Sequence, residues 1–472
     1  MPMLTPMTPA LATELAALLP SGAVRPATPA ELEEPRGKWH GHAGCAVRPA
    51  NTEQVAQVIR FAAQHRIGVV PWGGGTGLVG GQVMPDGAPP ILLSLEKMDA
   101  IRAIYPEENV LLAEAGAILA NVQAAAEAED RLFPLSLASE GTCRIGGNLS
   151  ANAGGVNVLR YGNARELCLG VEAVLPDGSI FHGARRLRKD NTGYDLRHLL
   201  IGAEGTLGVI TAAALRLSPR PVRQGAALMV VDSPAAALTL LSLAQDISGG
   251  TVSAFELINS MGLEFLAEAN LPVRQPFAEI PEWMVLIDLG TSAAQDPSAL
   301  LETIFEAGAE QDLVTDGVIA SSLTQRDEFW TIRETIPEAN KRVGAIISND
   351  ISLPLSAIPE FVVRAKAEIA KIGEFRINSF GHLGDGNLHY NIFAPKGGRA
   401  GDHANQVQTL KDCINDLVAE MDGSFSAEHG IGRLKVPELE RYGDPAKLAA
   451  MRAIKAALDP QGIMNPGAVL RG

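Results

Sequence analysis

Two short motifs in the last quarter of the chain combine histidine and carboxylate side chains. The motif GHLGDGNLHYN contains His382 and His389, and the motif SAEHGIG contains Glu428 and His429. Two imidazoles and a carboxylate form a donor set that suits zinc best, and also manganese or iron. The alternative is that the first two histidines form ordinary hydrogen bonds within a glycine-rich loop. The residue types therefore indicate a candidate site for a divalent metal, with a structural role as the other interpretation.

The segment LHYNIF, which carries the second histidine of the first motif, predicts a β-strand. Side chains on a strand alternate between its two faces, so His389 and Asn391 would share a face. We therefore expect Asn391 to lie beside the candidate metal site, where it could contact a substrate.

Three glycine-rich loops occur earlier in the chain. The first is PWGGGTGLVGG at 71–81, the second extends from Leu135 to Gly162, and the third is GAEGTLG at 202–208. Glycine allows a backbone to turn through positive φ and to approach a ligand closely, and successive amide groups can then face a pyrophosphate. A single such cluster is typical of a structural turn, but three of them favour a long bound dinucleotide. The first loop matches neither a Walker loop nor a Rossmann fingerprint.

Length, charge and cysteine content narrow the class of protein. The 472 residues predict two or three domains, and the net charge of -15 argues against a nucleic-acid partner or an anionic membrane surface. The four cysteines form no C-x-x-C pair, which favours a reducing compartment. We expect no transmembrane segment, and the absence of a basic leader near the N-terminus predicts a cytoplasmic protein.

The pattern of predicted elements changes at a pair of prolines, Pro219 and Pro221. Before this pair, segments of strand and helix alternate, and VEAVLPDGSIFH predicts a hairpin. After it, the sequence predicts an α+β arrangement, with a helix over FELINSMGLEFLAEA and a strand over EWMVLIDLG. The segment FWTIRETIPEANKR, which contains Arg333, predicts a helix interrupted at Pro337.

Four motifs together resemble one family of flavoproteins. PWGGGTGLVGG, PLSLASEGTCRIGGNLSANAGG, RKDNTGYDL and GAEGTLGVIT are similar to the FAD-binding domain of the vanillyl-alcohol-oxidase superfamily, and most similar to its D-2-hydroxy-acid dehydrogenase branch. The resemblance extends in order from about Arg48 to the C-terminus. It implies an α+β fold whose parts are a helical lead (1–40), an FAD-binding domain (41–220), a substrate domain (221–424) and a C-terminal helical segment that returns to the flavin (425–472).

The resemblance also assigns FAD contacts to individual positions. The first loop would hold the pyrophosphate, the second would line the flavin, and the third would lie along the adenine and ribose. These positions are Pro71, Gly73, Gly74, Gly75, Thr76, Gly77, Leu78 and Gly80 in the first loop; Ser139, Gly141, Thr142, Gly146, Gly147, Asn148, Asn152, Ala153, Gly154, Gly155 and Tyr161 in the second; Glu204, Gly205, Gly208, Val209 and Ile210 in the third; and Asn465 near the C-terminus. Because the first loop contains no histidine, we expect non-covalent FAD.

The same resemblance gives the two histidine motifs their roles. It implies that His382, His389 and Glu428 bind the metal and that His429 is the general base. A metal at the substrate hydroxyl lowers the pKa of that hydroxyl, so a histidine can remove its proton near neutral pH. The hydrogen at C2 would then leave as hydride to flavin N5 and produce a 2-oxo acid.

The substrate is less firmly implied than the chemistry. The resemblance implies that Arg333 binds the substrate carboxylate. The alternative interpretation is that Arg333 is a solvated arginine on a helix surface. Members that oxidise D-2-hydroxyglutarate have a threonine and a lysine where this chain has Pro337 and Ser348. A serine at position 348 is typical of the D-lactate dehydrogenase branch. The similarity of the whole chain nevertheless favours D-2-hydroxyglutarate as the substrate.

Three alternatives and several partners follow from the resemblance. The chain could instead be a D-lactate or other D-2-hydroxy-monocarboxylate dehydrogenase, an oxidase that uses oxygen, or a non-catalytic flavin- or metal-binding protein. For the dehydrogenase, we expect an electron-transfer flavoprotein or a quinone as acceptor rather than NAD. The chain is also a candidate homodimer.

Overall fold

The computed structural model describes residues 3–37 and 39–471. Residues 1, 2, 38 and 472, which belong to the predicted first and last segments, lie outside the described residues. Contacts between residues group the chain into two compact units. The first unit contains the residues up to Gly154, Gly162–Arg220, and the residues from Glu428 onward; the second contains Gly155–Tyr161 and Pro221–Ala427. The chain therefore passes between the units four times.

The described residues contain fourteen α-helices, which we number in chain order. They are α1 (Pro9–Ala17), α2 (Thr52–His65), α3 (Leu119–Ala128), α4 (Ile145–Ala151), α5 (Val158–Tyr161), α6 (Leu196–Leu200), α7 (Pro234–Ser248), α8 (Ser260–Glu268), α9 (Pro297–Glu310), α10 (Leu323–Val343), α11 (Ile358–Ile372), α12 (Val407–Glu420), α13 (Val436–Tyr442) and α14 (Pro445–Leu458). None of the helices in this described part of the chain is both long and apolar enough to cross a membrane.

Eighteen β-strands occur within the same described ranges. They are β1 (Val24–Arg25), β2 (Cys45–Val47), β3 (Val69–Trp72), β4 (Ile91–Ser94), β5 (Ile101–Tyr105), β6 (Val110–Glu114), β7 (Arg131–Leu132), β8 (Cys168–Val174), β9 (Ile180–His182), β10 (Val209–Arg216), β11 (Ser218–Pro219), β12 (Arg223–Val231), β13 (Val252–Asn259), β14 (Trp283–Thr291), β15 (Asp316–Ile319), β16 (Ala345–Ser352), β17 (Arg376–His382) and β18 (Asn387–Phe393).

The first unit is built on two main sheets. One has the order β1-β2-β4-β3, with β2 and β3 both parallel to β4, and the other is antiparallel with the order β5-β6-β10-β8-β9. Helix α2 is amphipathic: Asn51 caps its first turn, and Val55, Val58 and Ile59 on one face are fully buried. The predicted hairpin is confirmed as β8 and β9.

The C-terminal part of the first unit returns to the first glycine loop. Val69 of β3 pairs with Met464: its amide donates to the carbonyl of Ile463 at 2.8 Å, and its carbonyl accepts from the amide of Asn465 at 2.8 Å. The buried ammonium of Lys455 on α14 donates to the carbonyl of Thr206 at 2.8 Å. Buried backbone groups need such partners, so these bonds hold the segment around Asn465 against β3.

The second unit is built on one antiparallel sheet of seven strands, in the order β15-β12-β14-β13-β17-β18-β16. Apolar residues of α7, α9, α11 and α12 pack on one face of this sheet. Apolar residues of α8 and α10 pack on the other face. Both faces are therefore covered, which explains why its central strands are apolar on both sides.

The helix predicted over residues 255–269 is wrong for its first five residues. Residues 255–259 complete β13, and α8 begins only at Ser260, where the Asn259 side chain accepts from the Met261 amide at 3.1 Å. Phe255 and Leu257 are buried on one face of the sheet and Ile258 on the other. A short run that is apolar on both sides has no period that distinguishes a strand from a helix.

The predicted interruption at Pro337 is also wrong, because α10 is continuous through this residue. An internal proline removes one helical hydrogen bond and costs about 3 kcal/mol. Ile332, Ile336 and Ala339 on the same helix are nonetheless buried against the sheet. Tertiary packing of this face supplies most of the helix's stability and outweighs the loss.

Candidate active site

The two histidines of the first motif lie at the ends of adjacent strands of the seven-stranded sheet. His382 ends β17, a single 3₁₀ turn follows, and β18 carries His389. Gly386 closes this turn with φ of 84°, and a Cβ there would lie 2.4 Å from the Leu353 carbonyl oxygen, so only glycine fits. The two imidazole rings are 5.5 Å apart between centroids, and each offers a nitrogen within 4.8 Å of the other. Both could therefore bind one ion.

A row of polar side chains continues along this face of the sheet. Asn391 is two residues from His389 on β18, which confirms that the two share a face. The register places Asn391 opposite Ser348 of β16 and opposite Asn378 of β17. Asn391 is buried, whereas Ser348 is exposed. The two predicted substrate residues on strands are therefore neighbours, and only one of them is open to solvent.

Arg333 lies on α10, the helix that covers this face, and its side chain is only 5% exposed. This burial rules out the alternative of a solvated surface arginine. Its guanidinium lies 4.9 Å from the centroid of the Phe380 ring, a cation–π distance. Its Nη2 is buried and forms no hydrogen bond among the residues that the structure describes. A buried donor of this kind is ready to bind an anion.

Glu256 joins the arginine to the first histidine. Its carboxylate accepts from Nε of Arg333 at 2.7 Å and bonds Nδ1 of His382 at 2.7 Å. Glu256 is fully buried on β13, opposite His382 in the strand register. Burial raises the pKa of the Glu256 carboxyl, but the charges and hydrogen bonds of His382 and Arg333 outweigh it and lower that pKa to about 2.

The sequence did not indicate Glu256, because the pattern around residue 256 predicts a helix. One signal could have found it: in a strand, Glu256 shares a face with Ala254 and Ile258, and these apolar neighbours on either side indicate that the face is buried. A buried carboxylate requires a cation or several donors as partners. That requirement points to a charged network, although it does not identify the partners.

Backbone hydrogen bonds to β16 fix the start of the second motif. Ser424 pairs with Ser352 at the end of β16 through two backbone hydrogen bonds of 2.8 and 2.9 Å. The amide of Ala427 then donates to the carbonyl of Asp350 at 3.3 Å, and Asp350 lies opposite His389 in the strand register. Ala427 is the last residue of the second unit, and Glu428 is joined to it by one peptide bond.

Within the first unit, Glu204 anchors the loop that follows His429. Its two carboxylate oxygens accept from the amides of Ile431 and Gly432, each at 2.8 Å. Burial raises the pKa of Glu204, against the lowering effect of these two amides and of Arg433. Glu204 was predicted as an FAD contact, but its carboxylate is already occupied by this loop. It therefore has a second, structural task that the sequence did not indicate.

The three glycine loops and the C-terminal segment contact one another inside the first unit. A Cβ at Gly74 would lie 2.4 Å from the Thr142 carbonyl oxygen, so the first two loops touch through their backbones. The Asn465 side chain donates to the carbonyl of Gly81 at 3.0 Å and to that of Glu204 at 2.7 Å, which joins the first and third loops. One continuous surface of backbone results.

This surface fits a ligand held by backbone groups. A Cβ at Gly141 or Gly147 would meet nothing within 4 Å, so both positions face open space beside the contacts just described. A long cofactor can approach the main chain only where side chains leave room. The first unit thus offers a glycine-lined surface of the kind that a dinucleotide requires.

The predicted FAD residues have the following placement. In the first unit, Pro71 lies within β3, and residues 73–80 form the loop after it; Ser139, Gly141 and Thr142 precede α4; Gly146, Gly147 and Asn148 lie in α4; Asn152, Ala153 and Gly154 follow α4; Gly205 and Gly208 precede Val209 and Ile210 in β10.

Two further predicted FAD residues, Gly155 and Tyr161, belong to the second unit instead. The segment between them is attached there by Arg160, which donates to the carbonyls of Thr251 and Gly290 at 3.2 and 2.6 Å.

Family models match both parts of the chain. One described as "FAD binding domain" matches residues 43–184, and one described as "FAD linked oxidases, C-terminal domain" matches residues 220–469.

Relatives of known name match nearly the whole chain. A mitochondrial D-2-hydroxyglutarate dehydrogenase of Arabidopsis thaliana is 35% identical over 433 residues, covering 92% of this chain and 76% of the relative. A D-2-hydroxyglutarate dehydrogenase of Xanthomonas citri pv. viticola is 35% identical, covering 91% of this chain and 90% of its own length. One of Stutzerimonas stutzeri is 34% identical, covering 98% and 99%.

Solved structures show the same fold at low identity. p-Cresol methylhydroxylase aligns with a TM-score of 0.76 at 16% identity, covering 98% of this chain and 96% of that one. 4-Ethylphenol oxidase from Gulosibacter chungangensis aligns with a TM-score of 0.72 at 17% identity, with the same coverage. The predicted fold class, α+β with an FAD-binding domain of the vanillyl-alcohol-oxidase type, is confirmed.

Proposed function

Since the chain belongs to the family of FAD-linked oxidases, within which it is an FAD-dependent D-2-hydroxy-acid dehydrogenase, we propose that its substrate is D-2-hydroxyglutarate and that it also requires a divalent metal. The observation that supports this most is the buried Arg333–Glu256–His382 network beside His389. It supports the proposal because an arginine that could bind a carboxylate and two imidazoles that could bind a metal lie at one face of one sheet.

The donor set fits a divalent ion. His382 and His389 offer two nitrogens close together, and Glu428, the residue after the segment bound to β16, is our proposed third ligand. Two imidazoles and one carboxylate leave further coordination positions open, as catalytic zinc sites do. The ion would lower the pKa of the substrate hydroxyl at that position.

Arg333 is the proposed site for the C1 carboxylate of the substrate. Its Nη2 is buried without a partner in the part of the chain that the structure describes, and a carboxylate is its natural complement. Asn391, buried on the same face, is the proposed donor to a second polar group of the substrate. These contacts would hold C2 in one orientation and so provide the positioning on which the rate depends.

His429 is the proposed general base. It is half-buried, and its ring nitrogen Nε2 is 3.8 Å from the Glu428 carboxylate, so the proposed base lies directly beside the proposed third metal ligand. The two amides held by Glu204 fix the loop just after it. His429 would take the hydroxyl proton, and a carbonyl would form at C2.

FAD is proposed to lie on the glycine-lined surface of the first unit, where it would supply the hydride acceptor for C2. We propose an electron-transfer flavoprotein or a quinone as the next acceptor, because no segment resembles a nicotinamide-binding unit. Non-covalent attachment, a cytoplasmic location and a homodimer stay predictions from the sequence.

A second candidate substrate is D-lactate. The observation that favours it is Ser348, which stands opposite Asn391 where the hydroxyglutarate-oxidising pattern has a lysine. Without that lysine, one cation fewer is available for the distal carboxylate of a dicarboxylic acid.

A panel of substrates added without oxygen tests the proposed function. We expect the purified protein to be yellow, and D-2-hydroxyglutarate to bleach its flavin absorbance faster than D-lactate or the L-enantiomers. NAD should not restore the colour, whereas a mediator dye should. Denatured protein should release its FAD into solution. Bleaching by none of the 2-hydroxy acids would contradict the function, and faster bleaching by D-lactate would select the second candidate.

The variant Ser348→Lys tests the choice between these substrates. A charge-assisted hydrogen bond to a distal carboxylate contributes about 1.5–3 kcal/mol, so kcat/KM for D-2-hydroxyglutarate relative to D-lactate should rise by at least about tenfold. Ser348→Met, which adds similar length without charge, is the matched control and should not produce this gain. An unchanged ratio in the lysine variant would mean that another residue neutralises the distal carboxylate.

A further inference from the structure

We propose that Glu256 is a positioning residue that fixes both the metal ligand His382 and the substrate clamp Arg333, and so couples the two halves of the site. This inference rests on the proposed function, since it assumes those two roles. It goes beyond that function by assigning a task to a residue that contacts neither the metal nor the substrate.

The geometry leaves Glu256 one partner on each oxygen. Oε2 accepts from Nε of Arg333 at 2.7 Å and Oε1 bonds Nδ1 of His382 at 2.7 Å. Glu256 is on β13, Arg333 on α10 and His382 on β17, so one carboxylate joins three elements of the second unit. All three side chains are buried. Water therefore does not compete for these bonds.

For His382, the bond decides which ring nitrogen can bind metal. An ionised carboxylate is an acceptor only, so Nδ1 must carry the proton and donate to Oε1. The lone pair that can bind an ion then belongs to Nε2. Metal-binding histidines commonly donate their other N–H to a carboxylate in this way, which fixes the tautomer and the ring orientation.

For Arg333, the bond decides which edge of the guanidinium faces the substrate. Nε is engaged by Glu256, and Nη2 is buried without a partner among the described residues. The Phe380 ring lies 4.9 Å below the guanidinium and 5.0 Å from the His389 ring, so it also limits rotation. The carboxylate of Glu256 thus fixes the plane of the Arg333 guanidinium and leaves its Nη nitrogens to bind an anion.

The variant Glu256→Gln separates the two bonds. The glutamine oxygen can still accept from Nε of Arg333, but its amide group would donate toward Nδ1 of His382. Because Nδ1 would then accept a hydrogen bond, His382 would carry its hydrogen on Nε2. A protonated Nε2 has no lone pair with which to bind a metal. Zinc affinity, measured against a chromophoric chelator, should fall about 10- to 100-fold, the usual loss when such a partner is removed.

The matched control is Asp288→Asn. Asp288 is another buried carboxylate of the same sheet; it accepts a hydrogen bond from Trp330 at 2.8 Å and forms an ion pair with Arg326 at 2.8 Å. Both of these partners lie on α10, and neither is a proposed metal ligand or substrate residue, so the loss of this carboxylate should affect stability alone. If Asp288→Asn lowers zinc affinity as much as Glu256→Gln does, the effect is general destabilisation and the inference is overturned.

A spectroscopic measurement covers the case in which Glu256→Gln folds poorly. Nitrogen chemical shifts of the imidazoles in metal-free, FAD-loaded protein should show His382 with hydrogen on Nδ1 in the wild type. Glu256→Asp keeps the charge but is one methylene shorter, so it cannot keep both 2.7 Å bonds. It should fold, yet bind zinc more weakly than the wild type. A wild-type ring with hydrogen on Nε2, or wild-type zinc affinity in both variants, would overturn the inference.

Zinc binding also distinguishes a failure of the proposed function from a failure of this inference. Wild-type protein that binds no zinc and is not affected by His382→Ala would refute the metal site itself. Zinc binding that depends on His382 but not on Glu256 would refute only the positioning role.

Discussion

Removal of the divalent ion should reduce turnover by at least about a hundredfold while FAD remains bound. Stabilisation of a developing alkoxide by a metal amounts to several kcal/mol, and about 2.7 kcal/mol corresponds to a hundredfold change in rate. The proposed ligands and the glycine loops are separate sets of residues, so a chelator should not release FAD. The measurement is kcat before and after chelation, together with the flavin absorbance and the metal content.

Two histidine variants make this prediction specific. His382→Ala should lower both metal content and kcat, and adding zinc should not restore them. His403→Ala is the matched control, because His403 is a half-buried histidine of the same unit that bonds Gln406 and packs on Phe375, away from the first motif. It should keep its metal and its activity. Full activity in protein shown to be free of metal would contradict the metal's role.

The sequence predicted the parts of the site that lie on recognisable motifs. His389 and Asn391 share a strand face because the two-residue period of β18 is visible in LHYNIF. The hairpin of β8 and β9 follows from the turn residues Pro176-Asp177-Gly178. Local rules of this kind depend on few residues, so the chain itself contains the information.

The sequence could not predict interactions that depend on distant packing. Glu256, Arg333 and His382 are far apart in the chain, and their buried network forms only because β13 lies beside β17 and α10 covers both. The continuous course of α10 through Pro337 has the same origin, since burial of neighbouring residues overrides a local helix breaker. In both cases tertiary contacts outweigh what the local pattern indicates.

Because Arg333 belongs to this network, its removal should lower both the activity and the stability of the protein. Arg333→Ala should lower kcat/KM for every accepted 2-hydroxy acid by about 30- to several-thousand-fold, since loss of a buried, charge-assisted partner costs roughly 2–5 kcal/mol. The same variant leaves Glu256 as a buried charge with one partner fewer, which should lower stability by about 3–5 kcal/mol. Activity and thermal unfolding therefore have to be measured together.

The double variant Arg333→Ala, Glu256→Gln separates the two effects. It removes both charges, so much of the lost stability should return, whereas kcat/KM measured with enough zinc to saturate the variant should stay low because the carboxylate still has no cation. Arg326→Ala is the control on the same helix: Arg326 pairs with buried Asp288, so its loss should destabilise the protein with little change in kcat/KM. If Arg333→Ala behaved like Arg326→Ala, with near-normal kcat/KM in folded protein, then Arg333 would be a structural partner of Glu256 and another residue would bind the substrate carboxylate.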